Sequence, residues 1–163
     1  DEGADSGDLL HQRMVPIHWT DDARDLYDRI LNVAVEQVAA FTPQLAAREH
    51  QRTPQNDDQA NYWRKRSYED GEVDWRMSST SIYNLIRALA HPYPGAHCVV
   101  DGDEVKLWAA DVVDDEFGDV RHLEPGKVLS AEGDRIAVKC GEGVVAILEH
   151  EFDVLPDPGD YLR

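Results

Sequence analysis

The apolar positions of the chain change their period part-way along it. From Leu26 they recur at spacings of three to five, through Ile30, Val33, Ala34, Val38 and Phe41, the stripe of one amphipathic helix. Thr20, Asp21 and Asp22 mark its start, a hydroxyl for the first turn and carboxylates against the positive end of the helix dipole. Thr42-Pro43 is the expected stop. Upstream, Leu9–Ile17 reads as a strand that ends at Pro16, and residues 43–61, rich in Gln, Asn and Asp, read as a surface excursion. A second stripe, Ile82, Leu85, Ile86 and Leu89, predicts a helix capped by Ser78 or Ser79. It must end at His91-Pro92-Tyr93-Pro94-Gly95, where proline excludes helix and a rigid turn follows.

From Ala96 the period falls to two. HCVV and EVKLWAADVV flank Asp101-Gly102-Asp103, a hairpin signal, and GKVLSA, DRIAVKC and GVVAILEHEF follow with glycine turns between them. A strand and helix at the start predict the tail of an α/β layer. The short strands at the end predict a small antiparallel barrel of OB or SH3-like type.

Charge alters this picture more than composition does. With 42% apolar and 30% charged residues, the 163-residue chain is an ordinary globular one. Its 33 acids against 16 bases give −17, with Asp over Glu by 21 to 12 and Arg over Lys by 12 to 4. That sign repels phosphate backbones and anionic lipid, so a nucleic-acid or membrane-surface role is disfavoured. Salt adaptation produces the same excess. No run approaches the roughly 18 apolar residues of a membrane span, and a cytoplasmic location with reduced thiols is expected. Cys98 and Cys140 read as small buried hydrophobes; their spacing permits a disulfide without supporting one. No HxxxH or CxxC spacing occurs, so no metal site is expected.

Three segments together resemble the 10-formyltetrahydrofolate-dependent formyltransferases. DEGADSGDLL resembles their acidic loop, D-x-G-x-D-x-G-D-I-L. EDGEVDW, NLIRAL and HPYPGAHC resemble the entrance to their C-terminal domain, and VKLWAADVV, EPGKVLS and AVKCGEGVVAI resemble its barrel. The resemblance implies three parts: residues 1–66 as the C-terminal portion of a Rossmann-like catalytic domain, 67–95 as a linker with a helix, and 96–163 as an OB-like barrel. It also implies transfer of a formyl group from 10-formyltetrahydrofolate, the co-substrate, to an amine. Asp5 falls on the catalytic carboxylate, which orients the family's histidine and organises the proton relay. The backbone of Glu2, Gly3 and Ala4, with Asp5, would line the pterin pocket. Read from its neighbours alone, Asp5 beside Ser-Gly is a turn former that bonds its own backbone. Asp8 reads as structural. The family's Asn and its His-x-Ser-Leu-Leu-Pro segment are not in this sequence. The chain is therefore expected to be part of a longer enzyme and inactive by itself.

Charge then weighs on the amine. From residue 67 onward eight bases stand against 21 acids, a poor surface for the acceptor stem of methionyl-tRNA. The favoured acceptor is a nucleotide-linked amino sugar, with methionyl-tRNA or a hydroxyornithine-type amine as alternatives, and with pairing into a homodimer as in many sugar-acting members. Arg64, Lys65 and Arg66 would meet the diphosphate, with Trp63 or Tyr93 facing the base and Pro94 beside it. The same cluster could instead pair with Glu69, Asp70 and Glu72. Arg87 either bridges a domain junction or reaches the pocket. Trp75 and Trp108 read as core aromatics. A reading of another class, a non-catalytic OB-like binding or dimerisation module, has no use for the intact acidic loop.

Overall fold

The computed structural model describes residues 5–162, in two compact units. Of the described residues, the first unit takes 5–20 and Asp25–Lys65; the second takes Asp21–Arg24 and everything from Arg66 onward. Among the described residues, no helix is long and apolar enough to cross a membrane.

The first unit is built around helix α1, Ala23–Ala47, from its third residue onward. It runs past the expected stop, with Pro43 inside it. Proline removes one N–H from the ladder, but Thr42 Oγ1 donates to the Val38 carbonyl at 2.6 Å and the last turn still closes. Termination comes instead at Arg48, in the left-handed region at φ 60°, where Arg48 N donates to Leu45 O and Glu49 N to Gln44 O. That pair of bonds is the Schellman arrangement. Leu9–Ile17 is not a strand. Only Leu9 pairs, with Thr53, and no second strand is present among the described residues of this unit. The expected Rossmann-like tail is therefore represented, among the described residues, by a helix, a 3-10 turn at Asp57–Gln59 and coil. Ile30, Leu31, Val35 and Val38 are all exposed on α1.

The second unit is a five-stranded antiparallel sheet with one helix on it. Its strands are β1 Ala96–Val100, β2 Asp103–Val112, β3 Val128–Glu132, β4 Arg135–Lys139 and β5 Val144–His150, in the order β1-β2-β5-β4-β3. The β1–β2 hairpin turns on Asp101 and Gly102, both at positive φ (54° and 97°), as a two-residue turn between right-twisted strands requires. Ser78 caps helix α2, Ser79–Leu89, its hydroxyl accepting from Ser81 N at 3.2 Å. Ile82 and Ile86 of α2 then meet Leu107, Ile136, Val138, Val145 and Ile147 in the main core, which also takes in Trp75, Cys98 and Cys140. The opposite sheet face buries Val144, Ala146, Ala137 and Val113 under Phe117, Val120 and Leu129. Both cysteines are free, and burial pushes their thiols up to about 12, so they stay protonated at neutral pH.

The sheet is open, where a closed barrel was expected. Its edges are covered by coil rather than by each other. Val73 N donates to His97 O on β1 at 2.7 Å, and the Gly126–Val128 edge exchanges bonds with Gly159, Asp160 and Leu162. Edge groups satisfied in this way leave no drive for closure.

One glycine fixes how the chain enters this unit. Gly141 N donates to both Trp75 O (2.7 Å) and Met77 O (2.8 Å), and a Cβ there would lie 1.9 Å from Arg76 O. Gly141→Ala is expected to lower stability by roughly 3 kcal/mol in a urea unfolding titration, whereas Gly133→Ala, with open space around it, should cost only the roughly 1 kcal/mol of a left-handed backbone at φ 57°.

Candidate functional site

The acidic loop lies in the first unit, and its described part begins at Asp5. Glu2, Gly3 and Ala4 lie outside the described residues. Asp5 is exposed and sits at φ 59°, a left-handed conformation that aspartate tolerates better than most residues. The loop is fastened by its backbone. Gln55 Nε2 donates to Asp5 O at 2.9 Å and to Gly7 O at 2.7 Å, while Leu9 and Thr53 exchange N–H···O bonds of 2.9 Å in both directions. Fastening through carbonyls leaves the Asp5 carboxylate outside that hydrogen-bond set. Asp8 lines a cavity of about 300 Å³ with Gly7, Leu10, Leu45 and Arg52.

The basic cluster is divided between the units. Arg64 and Lys65 are exposed in the first, with Arg64 Nη1 donating to Lys65 O at 3.4 Å. Trp63 is also exposed and spends its indole N–H on Asn61 Oδ1 at 2.7 Å. Arg66 opens the second unit, where it lines a cavity of about 470 Å³ that also contains Pro94. Next to it a 3-10 turn, Tyr68–Gly71, engages two carboxylates from the alternative pairing set. Asp70 Oδ2 accepts from Ser67 N at 2.7 Å, and Glu69 accepts from the Ser67 hydroxyl at 2.5 Å, which holds its carboxyl below the usual range.

Arg87 is not among the residues lining that cavity. Its Nε donates to Asn84 Oδ1 at 2.8 Å and its Nη1 to the Asp21 carbonyl at 2.6 Å, with the guanidinium 5.5 Å from the Tyr83 ring. It therefore ties the Asp21 backbone to α2 inside the second unit. Tyr93 is half-exposed in the turn after α2, and the cavity is lined by its neighbours Pro94 and Gly95 instead. Trp75 is buried as expected. Trp108 is only partly so: it sits at the β2 bulge, stacked on His91 at 4.0 Å, with Nε1 donating to Glu151 at 2.9 Å. Sequence reasoning passed over His97 and Lys106, which line the same cavity as Arg66. The available signal was a histidine inside the apolar run of β1.

Residues 65–154 match the formyl transferase C-terminal domain. The chain belongs to this formyltransferase family. Beyond the matched domain, the methionyl-tRNA formyltransferase of Caldanaerobacter subterraneus subsp. tengcongensis is 37% identical over 149 residues, 91% of this chain and 46% of that protein. The chain thus spans about half the length of that relative. Among solved structures it resembles a multiply substituted HypX from Aquifex aeolicus (TM-score 0.69, 25% identity), covering 90% of this chain and 25% of that one. It also resembles the N-formyltransferase of Helicobacter canadensis, solved with folinic acid and dTDP-3-aminofucose. That likeness (TM-score 0.68, 18% identity, 92% and 52% coverage) is one of fold.

The clamp on the acidic loop can be tested alone. Gln55→Ala should raise amide exchange at Leu9 and Thr53, whose N–H groups close the loop, by roughly tenfold, about one hydrogen bond's net worth, while exchange in β5 stays unchanged; equal protection in the variant would show that Gln55 does not hold the loop.

Proposed function

We propose that this chain forms part of an enzyme that moves a formyl group from 10-formyltetrahydrofolate to the amine of a nucleotide-linked amino sugar. The observation that carries the reading is family membership together with an acidic loop intact at Asp1, Gly3, Asp5, Gly7 and Asp8. In this reaction the neutral amine nitrogen attacks the formyl carbon, the bond from that carbon to N10 breaks, and a proton passes from the amine to N10. Asp5 would act by orienting the family's histidine and helping to organise the relay, and Glu2, Gly3 and Ala4 would face the pterin. Arg64, Lys65 and Arg66 are the candidates for neutralising the diphosphate, and Tyr93 and Pro94 for contacting the nucleotide. Arg87 would contribute by fixing α2. The division into a catalytic portion to residue 66, a linker to residue 95 and a C-terminal domain, and a cytoplasmic homodimer, belong to the same reading.

The 37% identity to a methionyl-tRNA formyltransferase favours that activity as a second reading. Against it stands the charge after residue 66, eight bases to 21 acids, on a surface that would have to meet an acceptor stem.

Because the family's Asn and His are not among these residues, the chain alone should show no turnover. In a polypeptide that joins it to them, Asp5→Asn should lower kcat for a dTDP-amino sugar by about 100-fold or more. The Kd for the same nucleotide sugar should stay within about twofold. Unchanged kcat would remove Asp5 from the mechanism; an equal loss of binding would make it a structural residue.

A further inference from the structure

The cavity that Arg66 enters has features that neither the fold nor the transfer reaction requires. It lies wholly within the second unit, between the Arg66–Gly71 turn, α2 and the start of the sheet. Most of its wall is apolar, contributed by Met77, Leu85, Ala88, Leu89, Pro94 and Tyr68. Its volume of about 470 Å³ suits a small ligand.

At its floor stands His97, 1% exposed, with Nε2 buried and without a hydrogen-bond partner. A buried polar nitrogen left unpaired costs on the order of 1–3 kcal/mol, which a ligand hydrogen-bonded to it would offset. Burial, reinforced by the Lys106 charge, holds this imidazole below its ordinary pKa, against a smaller opposing pull from Glu72. It is therefore neutral at pH 7, one nitrogen a donor and the other an acceptor. Its ring is positioned from two sides. Tyr68 stacks on it at 4.3 Å and 24°, and the turn passes so close that a Cβ on Gly71 would lie 3.4 Å from His97 Nδ1.

The rim supplies charge of a sign that is scarce in this protein. Arg66 and Lys106 line the cavity against one carboxylate, Asp70, whose Oδ2 already accepts from Ser67 N. Lys106 is held by Glu104 at 2.6 Å and lies 5.4 Å from the centre of the Tyr68 ring. Asn84 spends its carbonyl on Arg87, which leaves its NH2 as a further donor. By contrast, a neighbouring cavity of about 500 Å³ is lined by Glu69, Glu72 and Asp74 against Arg76 alone. In a chain of net charge −17, two basic side chains gathered over apolar walls favour an anion that also carries an apolar face.

We propose that this cavity binds a small planar ring bearing a phosphate, with His97 as the buried hydrogen-bonding contact and Arg66 and Lys106 as the cationic rim. Such a ring belongs either to a nucleotide or to a free aromatic phosphate. Arg66 and Pro94 also figure in the substrate reading, so the test measures equilibrium binding to the chain itself, without folate or transfer. Its failure leaves the transfer assay standing, and a failed transfer assay leaves the cavity standing.

Titration calorimetry with uridine 5′-monophosphate, phenyl phosphate and inorganic phosphate decides the matter. At least one of the two ring compounds should bind with a submillimolar Kd, at least tenfold more tightly than inorganic phosphate. His97→Phe, which keeps the stacking ring and removes the nitrogens, and Arg66→Ala, an exposed site, should each weaken that binding at least fivefold. Preference for the nucleotide names one source, and equal binding of phenyl phosphate names the other. The proposal is overturned if neither ring compound binds at millimolar concentration, if inorganic phosphate binds as well as they do, or if the Arg66→Ala chain binds like the parent.

Discussion

Val144, Val145, Ala146 and Ile147 are wholly buried in succession, because β5 runs through the middle of the sheet with apolar cover on both faces. Val145 and Ile147 join the core beneath α2; Val144 and Ala146 join the smaller cluster under Phe117 and Leu129. Burial of each such side chain contributes on the order of 1.5–3 kcal/mol, which non-directional apolar contact delivers at any ionic strength. This matters in a chain whose net charge of −17 works against compaction. The chain entry depends on the same strand: the Cys140–Gly143 turn that launches β5 brings Gly141 against the carbonyls of Trp75 and Met77.

Charge, by comparison, is handled locally. Arg76 pairs with Asp74 and Arg121 with Asp119, each two residues away and exposed, and each arginine holds its carboxyl down at about 2. Exposed pairs of this kind add little to stability. Among the described residues, the buried lysine Lys139 forms no ion pair of this kind; its ammonium donates to the carbonyls of Cys140 and Gly141, on the turn that leads into β5. The surface is left strongly acidic, and the two basic side chains gathered at one cavity, Arg66 and Lys106, stand out against it.

The sequence was most informative where one residue pattern had one structural solution. Alternation from Ala96 onward located all five strands, and Asp101-Gly102 their first hairpin, because a two-residue turn at positive φ leaves few other choices. The Ile82–Leu89 stripe with its serine cap behaved likewise. Errors arose where a local signal competed with something distant. Pro43 did not stop α1, since Thr42 and the bonds at Arg48 allowed the helix to continue. Leu9–Ile17 has strand composition but pairs only at Leu9. Closure of the sheet was not legible, because the coil segments that cover its edges carry no periodicity. The cavity at His97 escaped notice for a related reason: its parts come from residues 66–71, 77–89, 94–97 and 106, and only the fold brings them together. Among the candidate site residues, Arg66 and Pro94 share that cavity and Arg87 does not.

The acidity after residue 66 also bears on the proposed acceptor. A polypeptide joining this chain to the family's Asn and His should be given dTDP- or UDP-linked amino sugars and methionyl-tRNA side by side, with 10-formyltetrahydrofolate as donor. Formylation of at least one amino sugar and none of the tRNA is expected at moderate salt. Formylation of the tRNA alone would contradict the amino-sugar reading.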